Sequence, residues 1–148
     1  MSNVGVNCIP NTPTIQLSSA SVGFNSVVVG DDMNEIITVT NTGTADLNLS
    51  DVSTPSAPFS LVGGTCLSLP VVLAPNGSCE IEIMFSPTTV GSFNDVIDLT
   101  SDAASSPDQI VISGSSIGSG EPVSVPTSNG WFLTVSYTHL TLPTIYSV

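Results

Sequence analysis

The chain has 148 residues, 41% of them hydrophobic, which is enough for one modest core with flanking segments but not for two full domains. It carries twelve acidic residues and no lysine or arginine, a formal net charge of −12. That balance argues against nucleic acid, anionic membrane surfaces and substrates held by an arginine fork, because each needs cationic side chains.

Residues 1–10 read as the polar N-terminal loop of a fragment, with neither the basic start nor the apolar run of a signal peptide. From Asn11 onward, short apolar runs rich in β-branched residues alternate with Gly, Pro, Asn and Asp clusters, and no helical periodicity is sustained. Strands are predicted at Thr14–Leu17, Gly23–Val29, Glu35–Asn41, Leu47–Ser53, Phe59–Val62, Pro70–Leu73, Ser78–Phe85, Ser92–Thr100 and Gln109–Ser113. The clearest alternation lies in Ser78–Phe85, where Cys79, Ile81, Ile83 and Phe85 share one face, and Ser78, Glu80, Glu82 and Met84 the other. Ile37, Val39, Leu47, Leu49, Phe93, Ile97 and Leu99 complete the predicted core. Asp95 falls on the inward side of its strand, which predicts an irregular start or a bulge there.

The segments 41–46 and Ala74-Pro75-Asn76-Gly77 supply turns between these runs. Seven to nine short strands joined this way predict an all-β, immunoglobulin-like sandwich of two antiparallel sheets over residues 11–114. Beyond Gly114 the chain turns Ser- and Gly-rich, so 115–134 reads as a linker.

The cysteines are Cys8, Cys66 and Cys79, without the CxxC pairs of a structural zinc site. A disulfide between Cys66 and Cys79, which implies an oxidising compartment, is favoured over two small buried thiols. Cys8 is left over.

Chemistry is sparsely supplied. The only histidine is His139, so the 11–114 region has no imidazole base for a nucleophile, and no lysine for a Schiff base. Glu80 and Glu82 share one exposed strand face, where both are solvated rather than tuned as an acid and base pair. Loop carboxylates at Asp31, Asp32, Asp46, Asp51, Asp102 and Asp108 suit calcium by ligand type, yet no DxDxDG loop organises them. Plain acidic solvation is the preferred reading. Gly63-Gly64 and Gly118-Ser119-Gly120 lack the lysine and helix of a phosphate loop. No catalytic, cofactor-binding or metal-binding residue is therefore assigned, and no cofactor is expected.

A resemblance adds to this reading. The runs at 24–30, 39–47, 59–66, 73–79, 85–91, 99–102 and 110–114 occur in the order found in bacterial choice-of-anchor D domains. These domains are related to the MSP and ASPM–SPD-2–Hydin immunoglobulin-like modules. Among the runs are Val39-Thr40-Asn41-Thr42-Gly43-Thr44-Ala45-Asp46-Leu47 and Leu73-Ala74-Pro75-Asn76-Gly77-Ser78-Cys79, and it is the order of the runs that is specific rather than any one of them. The resemblance implies a non-catalytic sandwich on secreted or surface proteins, often in tandem copies, with Cys66 and Cys79 paired.

Past the linker, Val125-Pro126-Thr127-Ser128-Asn129-Gly130-Trp131 is similar to the opening of an IPTL-type sorting tail, although Ser128-Asn129-Gly130 departs from that motif and no membrane helix follows. Residues 135–148, beginning Val135-Ser136-Tyr137-Thr138-His139-Leu140, resemble the translation of a transposon-based sequencing adapter, and are read as not native.

The expected function is that of a structural or spacer module of an exported bacterial surface protein, located outside the cell. An adhesion module acting through its loops and an accessory domain of a larger secreted enzyme are the alternatives. Proteins or tandem neighbouring domains are the expected partners, with a membrane anchor lost at the C-terminus.

Overall fold

The computed structural model describes Gly5, residues 8–120, and the backbone of Val123–Pro126 and Phe132–Val135. All nine predicted strands are present: β1 (Ile15–Leu17), β2 (Ser21–Val28), β3 (Met33–Asn41), β4 (Leu47–Val52), β5 (Phe59–Gly63), β6 (Val71–Leu73), β7 (Ser78–Phe85), β8 (Gly91–Ser101) and β9 (Asp108–Ile117). One turn of 3-10 helix, Thr65–Leu67, follows β5.

Two sheets form, with strand orders β1-β3-β7-β5 and β2-β9-β8-β4-β6. Their inward residues alternate as the sequence predicts. Ile37, Val39, Leu47, Leu49, Cys79, Ile81, Ile83, Phe85, Ile97 and Leu99 are all buried, and Phe93 packs against them half-buried. This is an immunoglobulin-like sandwich, but not a wholly antiparallel one, because β2 and β9 run parallel from Ser21↔Val111 to Val28↔Ile117. The cause is local. β1 lies antiparallel to β3, and the chain then crosses to the other sheet through residues 18–20 without reversing direction.

Asp95 makes no bulge, since the β8/β9 register is unbroken from Gly91↔Ser116 to Leu99↔Asp108. Its half-buried carboxylate accepts from the Ser56 N–H at 2.6 Å and the Val96 N–H at 2.8 Å, so the inward position is satisfied by hydrogen bonds rather than avoided. Register shifts occur instead in β2, β4 and β5.

The linker prediction also needs correction at its start, because β9 continues past Gly114 to Ile117. Ser116 is buried there, donating its hydroxyl to Thr89 O at 2.7 Å and accepting from the Gly91 N–H at 3.0 Å. Beyond it, Val123–Pro126 (β10) and Phe132–Val135 (β11) pair antiparallel, in a region where no strand is predicted. Trp131 and residues 136–148 lie outside the described residues, and with them most of the adapter-like stretch.

The two ends of the sandwich are built differently. At one, Phe24, Phe59, Phe85 and Phe93 form a ring cluster with centroid separations of 5.0–6.1 Å. Gly114 faces it, and a Cβ there would stand 2.6 Å from the Phe85 ring. The opposite end carries Asn41, Cys66 and Cys79.

Candidate functional site

Cys66 sits on the 3-10 turn and Cys79 near the start of β7; they form a disulfide with the Cα atoms 5.1 Å apart. Both are buried. The turn lies flat against β7: Gly64 has φ +112°, and a Cβ there would fall 2.1 Å from the Glu80 carbonyl oxygen. Thr65 Oγ1 accepts from the Glu80 N–H at 3.1 Å. Gly64 is thus what lets the chain pass close enough for the bond to form, a role the sequence reading did not give to the Gly63-Gly64 pair. Cys8 is a free, exposed thiol.

The residue that sequence reasoning missed is Asn41, read there only as part of a turn. It is fully buried, and all of its side-chain groups are used. Oδ1 accepts from Gly43 N–H at 2.9 Å and Thr14 N–H at 3.3 Å, while Nδ2 donates to Ala45 O at 2.7 Å and Leu73 O at 2.8 Å. One amide therefore ties the segment before β1, the β3–β4 turn and the end of β6. The signal was an Asn in register with Ile37 and Val39 on an inward face.

The carboxylates are dispersed. Asp102 accepts from both the side chain and the backbone of Asn48, and these bonds, the side-chain one foremost, hold its pKa below the ordinary aspartate value. The Ser56 N–H, then the Val96 N–H, do the same for Asp95. Asp98 accepts from Gln109 at 2.8 Å, Asp108 from Ser105 at 3.0 Å and Glu82 from Asn34 at 2.9 Å. Asp31, Asp32, Asp46, Asp51 and Glu80 are exposed. Among the described residues, no three His, Cys, Asp or Glu side chains gather as metal ligands do. An open depression of about 270 Å³ at the phenylalanine end is lined by Ala57, Pro58, Ser86, Thr88, Thr89 and Phe93. It holds no ionisable group to drive chemistry. Among the described residues, no helix is long and apolar enough to cross a membrane.

Fold, buried cystine and dispersed carboxylates define an immunoglobulin-like module. The chain belongs to the HYDIN/CFA65/VesB-like Ig-like domain family, whose model matches residues 13–115. Solved structures share the fold. The ASH/PapD-like domain 7 of human CEP192 is 18% identical with a TM-score of 0.57, over 80% of this chain and 95% of that one. A protein of unknown function from Porphyromonas gingivalis W83 is 18% identical with a TM-score of 0.60, over 75% of this chain and 51% of that one. The VesB protease of Vibrio cholerae is 16% identical with a TM-score of 0.57, over 71% of this chain but only 32% of its own. No curated protein sequence matches the chain.

Proposed function

We propose that the domain is a non-catalytic spacer of an exported bacterial protein, holding its neighbours apart outside the cytoplasm. The observation that carries this reading is the path of the chain through the sandwich. The segment before β1 is fixed at the Asn41 end, where Thr44 Oγ1 donates to Pro10 O and the Thr44 N–H to Thr12 O. β9, the last strand of the sandwich in chain order, leaves at the phenylalanine end, where Ile117 O accepts from the Val29 N–H. Entry and exit at opposite ends suit a module strung in line between others. The buried cystine supports an oxidising, extracellular setting.

A second reading, an accessory domain of a larger secreted enzyme, is favoured by the neighbours. The Vibrio cholerae VesB protease and the secreted serine protease VesC contain the similar fold as 32% and 24% of their chains. Either way the chemistry belongs to another domain. An adhesion role through the loops has no comparable support.

Pulling the full chain from its two ends in a single-molecule trap tests the spacer. It resists as one mechanical unit, and reduction of the disulfide adds about 40 Å of released contour from the residues between Cys66 and Cys79. A chain that extends without a discrete unfolding step, or that hydrolyses peptide or glycoside substrates, contradicts the proposal.

A further inference from the structure

Sheet edges expose unpaired backbone groups, and one edge here is only half covered. In β3, the Asn41 N–H donates to Gly77 O at 2.9 Å, and its carbonyl accepts from the Asn76 N–H at 2.8 Å, so odd-numbered residues address β7. Thr38 O accepts from the Ser18 N–H at 2.9 Å, so even-numbered residues address the side where β1 lies. β1 covers Val39–Asn41 and Ser18 after it covers Thr38, whose N–H donates to Ser18 Oγ at 2.9 Å, and the chain then crosses to the other sheet. The backbone groups of Asn34 and Ile36 therefore point into the empty continuation of β1, with no protein partner among the described residues.

The side chains around this gap have a definite chemistry. Ile36 is 55% exposed and Met33 43%, one on each face of the edge. Asp31, Asp32 and Glu35 are exposed beside them, and Glu82 lies directly across from Ile36. No lysine or arginine exists anywhere in the chain to neutralise these carboxylates. A second copy brings the same charges to the same place and is repelled.

We propose that this gap is a docking site for an extended segment of a different protein, rich in lysine or arginine alternating with apolar residues. The segment adds to the sheet as a continuation of β1. Main-chain hydrogen bonds to Asn34 and Ile36 provide the register, apolar side chains on one face of the segment cover Ile36, and cationic ones on the other meet Glu35 and, at the start of the strand, Asp32. The proposal goes beyond the spacer reading and is independent of it.

Amide exchange on the full, disulfide-bonded chain tests it with two end-capped synthetic decapeptides, one alternating lysine and valine, the other glutamate and valine. The lysine peptide slows exchange at Asn34 and Ile36 saturably, by at least about tenfold at low salt and less at high salt. The glutamate peptide leaves both amides unchanged. Ile36→Pro removes an edge-facing N–H without breaking the β3/β7 ladder, so protection is lost while core amides keep theirs. Asp32→Asn with Glu35→Gln weakens binding without unfolding. Protection mapped to another edge, equal protection by both peptides, binding that survives Ile36→Pro, or self-association at this edge without peptide each overturns the proposal. So does no binding, which leaves the carboxylates as guards against aggregation.

Discussion

The phenylalanine end and the asparagine end of the sandwich solve the same problem with opposite chemistry. At the first, four rings and the bare backbone of Gly114 fill the space between the sheets, and the stabilisation is area and dispersion without direction. At the second, Asn41 spends every side-chain group on a specific backbone atom, and the cystine fixes which turn lies on which strand. No directed bond fixes the rings of the apolar end relative to one another. The polar end permits one arrangement, because any displacement leaves buried donors and acceptors unpaired. On the spacer proposal, tying the entry segment in this way fixes the direction from which the chain enters the domain.

Three variants test that contrast, in decreasing order of effect. Phe85→Ala empties the centre of the ring cluster, since Phe85 touches Phe24, Phe59 and Phe93, and costs about 3–5 kcal/mol in denaturant unfolding. Loss of the cystine, as Cys66→Ala with Cys79→Ala, costs about 3 kcal/mol, because the bond closes a short loop in the unfolded chain. Asn41→Ala costs about 2 kcal/mol, as groups on the segment before β1, the β3–β4 turn and β6 lose their partner; the bond to Leu73 O is buried and the other three are part-buried, so water replaces only some of the loss. Amide exchange separates the mechanisms. Asn41→Ala speeds native-state exchange at Gly43 and Thr14, whereas Phe85→Ala leaves those two slow until global unfolding. Equal local loosening by both would show that the ends are not distinct.

The same contrast explains what the sequence discloses. Ser78–Phe85 is legible because an antiparallel strand with one wet face prints its period directly, and the observed bounds agree with the predicted ones. Asn41 hides because a polar residue before Thr-Gly carries turn chemistry, and only its register with Ile37 and Val39 marks it as inward. Ser116 hides for a related reason: a Ser- and Gly-rich run looks like linker, although Ile110, Ile112, Gly114 and Ser116 hold the two-residue period as the core narrows. Asp95 misleads in the opposite sense, since a charge at an inward position predicts a broken strand until the Ser56 N–H supplies its partner. The parallel β2/β9 pair follows from a crossing at residues 18–20 that no local pattern records. Of the site, the cysteine pair was readable from spacing and resemblance. The Gly64 close approach and the open β3 edge depend on which strands neighbour which, so they were not.

The smallest expected effect compares the two ends through one carboxylate each. Asp102, at the asparagine end, and Asp95, towards the phenylalanine end, both have folded-state pKa values below the ordinary aspartate value. A depressed folded value means that the contribution is fully present above the unfolded pKa of about 3.9, and is lost as pH falls through the folded value. Asp102 is exposed and Asp95 only half-buried, so solvent screening keeps the contribution small, and the raw pH curve does not reveal it. Protonating the other carboxylates relieves self-repulsion in a chain of net charge −12, which pushes stability the other way. The difference between wild type and Asp102→Asn removes that background. At neutral pH the variant is less stable, because the amide lacks the charge that strengthens the bonds from Asn48 and offers one acceptor oxygen where Asp102 uses two. As pH falls through the folded value the gap between the two denaturation midpoints narrows to what the missing second acceptor leaves, since protonation removes the charge of Asp102 but neither of its oxygens. A gap that stays constant from neutral pH to strong acid would assign the effect to shape rather than charge, and the asparagine end would lose its electrostatic component.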